Sequence, residues 1–482
     1  MKKCSSTLCL PLAIIFSTSY SYSVLPWQWK YGFIVPIYKK GNKSKPENYR
    51  PVTLTSPVCR VMESILAFGI RKVFKNSFCK NQYGFLKGKS CMTQLLEVIS
   101  DWQISLKNRK IIDCVYFDFR KAFDKVVHHK LLYKCKQFGF PDLLINWLKN
   151  FLINRTSIVK INEALSTDFI PHSGVPQGTV LGPLLFLIFI NDLPNVIPQN
   201  IKCALFADDL KLYGEDGPLL QQAIDAVNSW SKDWQMPFAP EKINVLHLGQ
   251  AGPRHEYFID RQKIEPVECI RDLGIYVDNK LTFSHHISVK SALAFQRCQH
   301  LLSAFPFAST DTYVKLFTTY VRPILDYGSE IFSPRYSSPL CAKIERPLRY
   351  FTKIVCSRKN IRYQSYKSRL EHLKIEPLFL RRRKTDILTA FKLLLNVFDF
   401  PHLQTHLVLR GSVTSRPCRP HRFVLKKRRL IYKDSNWYFS RIVNLINSLP
   451  PELNDCSTIE DVVSVLTTNH INPPRNPPNF YR

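Results

Sequence analysis

Ile201-Lys202-Cys203-Ala204-Leu205-Phe206-Ala207-Asp208-Asp209-Leu210-Lys211-Leu212-Tyr213 is the stretch whose reading decides the fold. An apolar run, Ile201 to Leu205, leads into Phe206-Ala207-Asp208-Asp209, and Leu210, Leu212 and Tyr213 lead out. The pattern predicts strand, tight turn, strand. Two adjacent carboxylates at the tip of an otherwise apolar hairpin are costly unless something neutralises them. A lone Asp-Asp is usually a solvated turn, so the tetrapeptide needs company before it implies chemistry.

It has company upstream. A second apolar run, Ile111 to Phe117, broken only by Asp113, ends at Asp118. An Asp at the end of a buried strand, brought beside an Asp-Asp turn, makes a three-carboxylate cluster. Hard divalent cations take such oxygen ligands. Two of them, roughly 3.5–4 Å apart, can activate an attacking hydroxyl and hold a leaving phosphate, which is the chemistry of nucleotidyl transfer.

Between the two stretches lies Ser173-Gly174-Val175-Pro176-Gln177-Gly178, followed by Val180 to Ile190, apolar apart from Gly182 and Pro183. The glycines of the turn allow close backbone approach to a ligand. Tyr116-Phe-Asp-Phe-Arg-Lys-Ala-Phe-Asp124, Ser173 to Gly178 and Phe206 to Asp209, in this order, resemble the palm motifs of reverse transcriptases, above all those of non-LTR (LINE-type, jockey-like) retrotransposons. The resemblance runs from Ser5 to Asn469. It implies an α+β right-hand polymerase fold of fingers, palm and thumb, with a mostly helical C-terminal extension. It also implies an RNA-directed DNA polymerase that extends a primer 3′-OH with dNTPs on an RNA template.

The resemblance carries roles to particular residues. Asp118, Asp208 and Asp209 would hold two Mg²⁺ ions (Mn²⁺ as an alternative), with the backbone carbonyl of Phe119 as a further ligand. Lys39 or Lys40, and Arg50, match the fingertip positions that hold triphosphate, and a guanidinium grips phosphate bidentately. Gln177 would touch the incoming nucleotide. Lys242, in Pro240-Glu-Lys-Ile-Asn-Val-Leu246, would protonate the departing pyrophosphate; its other reading is a solvated strand start. Phe123 would lie beneath the incoming sugar and leave no space for a 2′-hydroxyl, the group that distinguishes RNA from DNA. Lys87 and Lys89 would lie near template phosphates, or in a plain basic loop. Phe123 argues against an RNA-templated RNA polymerase, which shares the hairpin and the metals. The intact carboxylates argue against a non-enzymatic relic.

Composition agrees with a polyanionic partner. Lys plus Arg is 68 against 37 acidic residues, a formal net charge of +31. Nucleic acid is expected rather than a membrane, because no basic amphipathic anchor appears and Val180 to Ile190 is too short to span one. The fourteen cysteines are scattered with no Cys-x-x-Cys pair, so no zinc site and no disulfide framework is expected. Met1-Lys2-Lys3 followed by Leu8 to Phe16 imitates a secretory signal. Pro11 interrupts it and no small-x-small site follows, so the expectation is an intracellular protein, nuclear or cytoplasmic, not secreted.

The expected organisation is an N-terminal extension of the fingers over 1–25, fingers and palm over 26–279, a helical thumb over 280–400, and a basic C-terminal region with a disordered tail over 401–482. Helical spacing predicts a fingers helix from Val58 to Lys75 with Val61, Ile65 and Phe68 facing the core. A second is expected behind an Asp142 cap with Leu143, Leu144, Trp147, Leu148 and Phe151 on one face. A hairpin is expected between Ser157 to Asn162 and Thr167 to Ile170. Three helical patterns follow: Ile287 to Leu302, Thr312 to Leu325 and Leu340 to Val355. The runs Arg381-Arg382-Arg383-Lys384 and Lys426-Lys427-Arg428-Arg429 read as solvated basic faces with nucleic acid as the partner.

Overall fold

The computed structural model describes residues 4–249, 254–336, 338–363, 365–398, 407, 425, 437–449, 452–453, 456–468 and 481. The run Lys426 to Arg429, and the tail Asn472 to Arg482 apart from Tyr481, lie outside the described residues. The chain forms two compact units, Met1–Lys87 with Asp113–Val245 and Pro253–Pro266, and Gly88–Ile112 with Leu246–Gly252 and Val267–Arg482.

In chain order the elements begin with helices α1 (Ser5–Ser21) and α2 (Trp27–Lys30), strands β1 (Tyr31–Tyr38) and β2 (Tyr49–Leu54), and helices α3 (Pro57–Val73) and α4 (Cys91–Lys107). Strand β3 (Ile112–Phe117), helices α5 (His128–Gln137) and α6 (Asp142–Leu152), and strands β4 (Thr156–Ile161) and β5 (Ala164–Leu165) follow. Then come α7 (Leu181–Ile190), β6 (Lys202–Phe206), β7 (Asp209–Gly214), α8 (Gly217–Asp233) and β8 (Asn244–Leu248).

Every residue of α7 except Pro183 is buried. A helix that is apolar all round must lie inside a core, and α3 and α5 pack on it. A four-stranded sheet of order β2-β1-β4-β5 stands in the same unit; β1 runs antiparallel to β2 and parallel to β4. Strands β3, β7 and β6 are consecutive antiparallel neighbours, and α8 packs against β7. Among the described residues no helix is long and apolar enough to cross a membrane.

Three local expectations are corrected here. On α3 the buried stripe is Cys59, Met62, Glu63, Ala67 and Ile70, whereas Ile65 is 54% and Phe68 69% exposed. The stripe turns because Glu63 has partners inside. Asp142 is the first residue of α6 and makes no cap hydrogen bond; Pro141 precedes the helix, and Leu143 points outward. The hairpin after Thr156 closes tightly on Ala164–Leu165, with Lys160 opposite Leu165, and Phe169 returns to bridge Ser157.

The second unit is mainly helical. It holds α4, the hairpin Cys269–Asp272/Ile275–Asp278, α9 (Ser284–Ala304), α10 (Thr310–Leu316), α11 (Arg322–Asp326), α12 (Ser329–Phe332), α13 (Pro339–Arg358), α14 (Tyr366–His372) and α15 (Leu378–Leu394). Helices α9 and α13 pack together. The Thr312 to Leu325 pattern is not one straight helix. A π turn, Phe317–Val321, joins α10 to α11, where Pro323 cannot donate to the regular ladder.

The run Arg381 to Lys384 lies on α15 and is not a solvated face. Arg382 is 2% exposed and donates to the Cys341 Sγ at 3.3 Å, beside the buried Glu345. Arg381 bridges Asp326 at 3.0 Å and Glu376 at 3.8 Å, and Lys384 bridges Glu376 at 2.6 Å. Burial lowers the pKa of Arg383. Arg381, Arg382 and Lys384 thus have acidic groups beside them within the helical unit.

Candidate active site

The β6–β7 turn is where the site is built. Leu205 pairs with Leu210 and Phe206 with Asp209, while β3 sets Phe117 opposite Leu210 and Tyr116 opposite Lys211. Strand alternation puts Phe117, Leu205 and Leu210 on one buried face and Tyr116, Phe206 and Asp209 on the other. Asp118 follows Phe117 directly, so it leaves β3 at the end where the Asp208-Asp209 turn lies. Ala207, the first loop residue, has φ +54°.

Asp208 is half-buried and Asp209 exposed. Burial, and then the negative charge of Asp118, push the Asp208 carboxyl above its ordinary range; its own backbone N–H, Lys39 and Arg50 pull it back. Asp118, Lys39 and Arg50 are thus the charged residues whose fields reach Asp208. Lys39 follows β1, and its N–H donates to the Asn48 carbonyl at 2.8 Å. Arg50 sits on β2 opposite Ile37. Lys39 and Lys40 are both exposed, and of the two Lys39 is the one whose charge acts on Asp208.

Asp118 is engaged on both sides. Its Oδ2 accepts from Lys242 Nζ at 2.8 Å, and its carbonyl accepts from the Ala239 N–H at 2.8 Å. Lys242 closes the short turn Pro240–Lys242 and is half-exposed, with a carboxylate partner rather than water alone. Arg120 N–H donates to the Pro237 carbonyl at 2.8 Å, so Phe119 and Phe238 form an antiparallel bridge with rings stacked at 4.5 Å. A bridge of this type uses the groups of the flanking residues and turns the Phe119 carbonyl away from Phe238.

The Ser173–Gly178 turn is stitched to the segment after Asp118. Gly174 N–H donates to Val126 O and Val175 N–H to Phe123 O, both at 2.8 Å. Gln177 Nε2 donates to Asp124 Oδ1 at 2.8 Å, and the Gln177 carbonyl accepts from Thr53 N–H of β2 at 2.7 Å. Gly174 has φ +91°, and a Cβ there would stand 2.9 Å from the Asp124 backbone. Phe123 is half-buried, stacked on Phe186 at 4.5 Å and 19°, with the edge of Phe85 at 6.4 Å. A cavity of about 260 Å³ lies against the turn, lined among others by Thr53, Asp124, His128, Arg155 and Gln177.

Lys87 is exposed at the end of the first unit's opening segment, and Lys89 belongs to the second unit. Two residues escaped the sequence reading. Glu63, fully buried, accepts from the N–H groups of Val180 and Leu181 at 2.7 and 3.0 Å, where α7 begins. Gln82 contacts the turn at Ala207. An acid inside an apolar helix stretch was the one available signal for Glu63, and nothing local marked Gln82.

Among the described residues, no three His, Cys, Asp or Glu side chains converge as a ready-made ligand set. The donor chemistry fits a divalent cation nonetheless. Asp118 and Asp208 are hard carboxylates close enough to repel, and Asp208 is raised by that repulsion and by burial. A cation between them would relieve both effects.

Carboxylates at the end of β3 and at the β6–β7 turn, with the charges of Lys39 and Arg50 acting on Asp208, make a site that carries both signs of charge. Residues 37–277, half of the chain, match the family described as reverse transcriptase (RNA-dependent DNA polymerase). The chain belongs to that family, and its α+β fold is of the right-hand polymerase class with a mostly helical C-terminal region. It is 29% identical over 344 residues to the "Probable RNA-directed DNA polymerase from transposon BS" of Drosophila melanogaster, covering 67% of this chain and 38% of that protein. It is 28% identical over 340 residues to the "RNA-directed DNA polymerase from mobile element jockey" of the same fly, covering 67% and 37%. The chain therefore spans less than two fifths of the length of these relatives. Among solved structures, apo telomerase from Candida tropicalis, truncated of its C-terminal domain, aligns with a TM-score of 0.39 and 13% identity over 56% of this chain and 58% of that one.

Proposed function

We propose that this chain is an RNA-directed DNA polymerase of a non-LTR retrotransposon, extending a primer 3′-OH with dNTPs on an RNA template inside the cell. The observation that carries this reading is that the end of β3 sets Asp118 beside the Asp208-Asp209 turn of the β6–β7 hairpin, with the charges of Lys39 and Arg50 acting on Asp208. Two Mg²⁺ ions held by Asp118, Asp208 and Asp209, with the Phe119 carbonyl as a further ligand, would lower the pKa of the attacking hydroxyl and neutralise the triphosphate.

The chain's own groups do the rest. Lys39 and Arg50 grip the triphosphate, the guanidinium bidentately. Lys242, held beside Asp118, is placed to give a proton to the departing pyrophosphate. Gln177, fixed by Asp124 and β2, and Phe123, fixed by Phe186, bound the nucleotide, and the ring excludes a 2′-hydroxyl. A net charge of +31 supports binding of template and primer through phosphates. Residues 26–279 would serve as fingers and palm, and 280–400 as thumb.

Primer extension by the purified chain tests the reading. Asp208→Asn and Asp118→Asn should abolish synthesis while RNA binding survives, because affinity comes mainly from Lys and Arg. Near-normal extension by either variant would remove the assignment.

A further inference from the structure

Strand β6 lies at the edge of its sheet, and the segment Asn81 to Gly84 runs along that edge. Leu205 N–H donates to the Asn81 carbonyl at 2.9 Å, Tyr83 N–H to the Leu205 carbonyl at 2.8 Å, and Asn81 Nδ2 to the Cys203 carbonyl at 3.0 Å. Gln82 and Leu205 form the resulting parallel bridge. At Ala207 a side chain takes over from the backbone. Gln82 Oε1 accepts from Ala207 N–H at 2.8 Å and from Gly84 N–H at 2.8 Å, and Gln82 Nε2 donates to the Ala207 carbonyl at 3.3 Å. One carboxamide, 3% exposed, therefore holds both backbone groups of Ala207.

Ala207 is where the turn needs holding. Its φ of +54° is one that a residue with a Cβ adopts reluctantly. Its carbonyl belongs to the planar peptide unit leading into Asp208. Fixing that plane sets the direction in which the Asp208 side chain leaves the turn. Gly84 permits the close approach, since a Cβ there would stand 2.5 Å from the Ala207 nitrogen.

We infer that Gln82 is a positioning residue for Asp208, its carboxamide holding the left-handed Ala207 so that the next carboxylate faces Asp118. The inference rests on the polymerase reading above, and it adds a residue that touches neither substrate nor metal. Met at position 82 fills similar volume and removes three hydrogen bonds. Glu keeps the two accepted bonds but sets an oxygen against the Ala207 carbonyl.

The test compares the full chain with Gln82→Met and Gln82→Glu. It reads steady-state primer extension, the thermal midpoint, and Mn²⁺ binding by electron paramagnetic resonance without nucleotide. A misplaced reacting group should lower kcat by about 10²-fold with the dNTP KM little changed. Loss of a residue that orients a ligand should weaken Mn²⁺ binding by about tenfold. Gln82→Met orphans two buried donors and should lower the thermal midpoint by several degrees, so kcat and Mn²⁺ binding are compared below the transition, where every variant is folded. Wild-type kcat and Mn²⁺ affinity in both variants would overturn the inference. So would a loss of activity that only follows the loss of folded protein. If Gln82→Met does not fold, the isosteric Gln82→Glu decides. A wild type that extends no primer would remove the polymerase reading, and the Mn²⁺ comparison would still judge Gln82.

Discussion

Glu63→Ala is the change expected to hurt the first unit most. The carboxylate is fully buried on α3; Oε2 receives the N–H groups of Val180 and Leu181 at the start of α7, and Oε1 lies 3.6 Å from the Cys59 Sγ. Arg155, also buried, supplies counter-charge and donates to the carbonyls of Phe151 and Trp29 at 2.9 and 3.1 Å. Alanine would leave two buried donors without an acceptor and remove a charge that acts on the buried guanidinium. Each orphaned donor costs about 1–3 kcal/mol. The terms overlap because the groups share one carboxylate, so about 4 kcal/mol is expected, or a fall of about 10 °C in Tm for a unit of this size. Glu63→Gln keeps an acceptor and should lose about half as much or less. Tryptophan fluorescence reads the relevant unit, because Trp27, Trp29, Trp147, Trp230 and Trp234 all lie there. The pH dependence has a definite sign. Burial raises the folded pKa of Glu63 above its ordinary value, so the folded state binds more protons. The stability this adds is fully present below the ordinary carboxyl range and is lost as pH rises through the raised value. The advantage of Glu over Gln at this position should shrink accordingly toward neutral pH. An alanine variant that melts within about 2 °C of the wild type, less than 1 kcal/mol on the same scale, would refute the capping argument.

Two further outcomes are expected. Phe123→Val should raise rNTP incorporation relative to dNTP in single-nucleotide extension; it should cost only about 1–2 kcal/mol of stability, because the ring is half-buried against Phe186 and Phe85. Equal loss of both nucleotides would make it a packing residue. His286 is buried, its Nδ1 accepts from Tyr276 N–H at 3.2 Å, and burial, then Lys290, His285 and Arg271, push its pKa down to about 4. Its folded pKa lies below its unfolded one, so stability should fall as pH drops from 6.5 toward 4, and His286→Leu should flatten that acid limb in melts of the helical unit.

The Asp208-Asp209 hairpin was legible because its signals are local. The apolar run that leads into Asp208-Asp209 stops there, and Asp118 ends another apolar run, so the order of residues alone put these carboxylates at strand ends. The supporting contacts are not local. Glu63 meets Val180 across 117 positions, Lys242 meets Asp118 across 124, and Gln82 meets Ala207 across 125. A periodicity reading counts every acid as solvent-facing, and on α3 that turned the helix outside in. Val61, Ile65 and Phe68 make a plausible apolar stripe only while Glu63 is assumed to want water. Two backbone donors and a guanidinium make the interior the better place for it, and the stripe rotates to follow. Arg382 is the same case with the sign reversed: a run of four cations looks solvated until Glu345, Asp326 and Glu376 are set beside it. Whether a polar side chain belongs inside is decided by partners that only the folded chain supplies, which is why the reacting groups could be read in order and the groups that hold them could not.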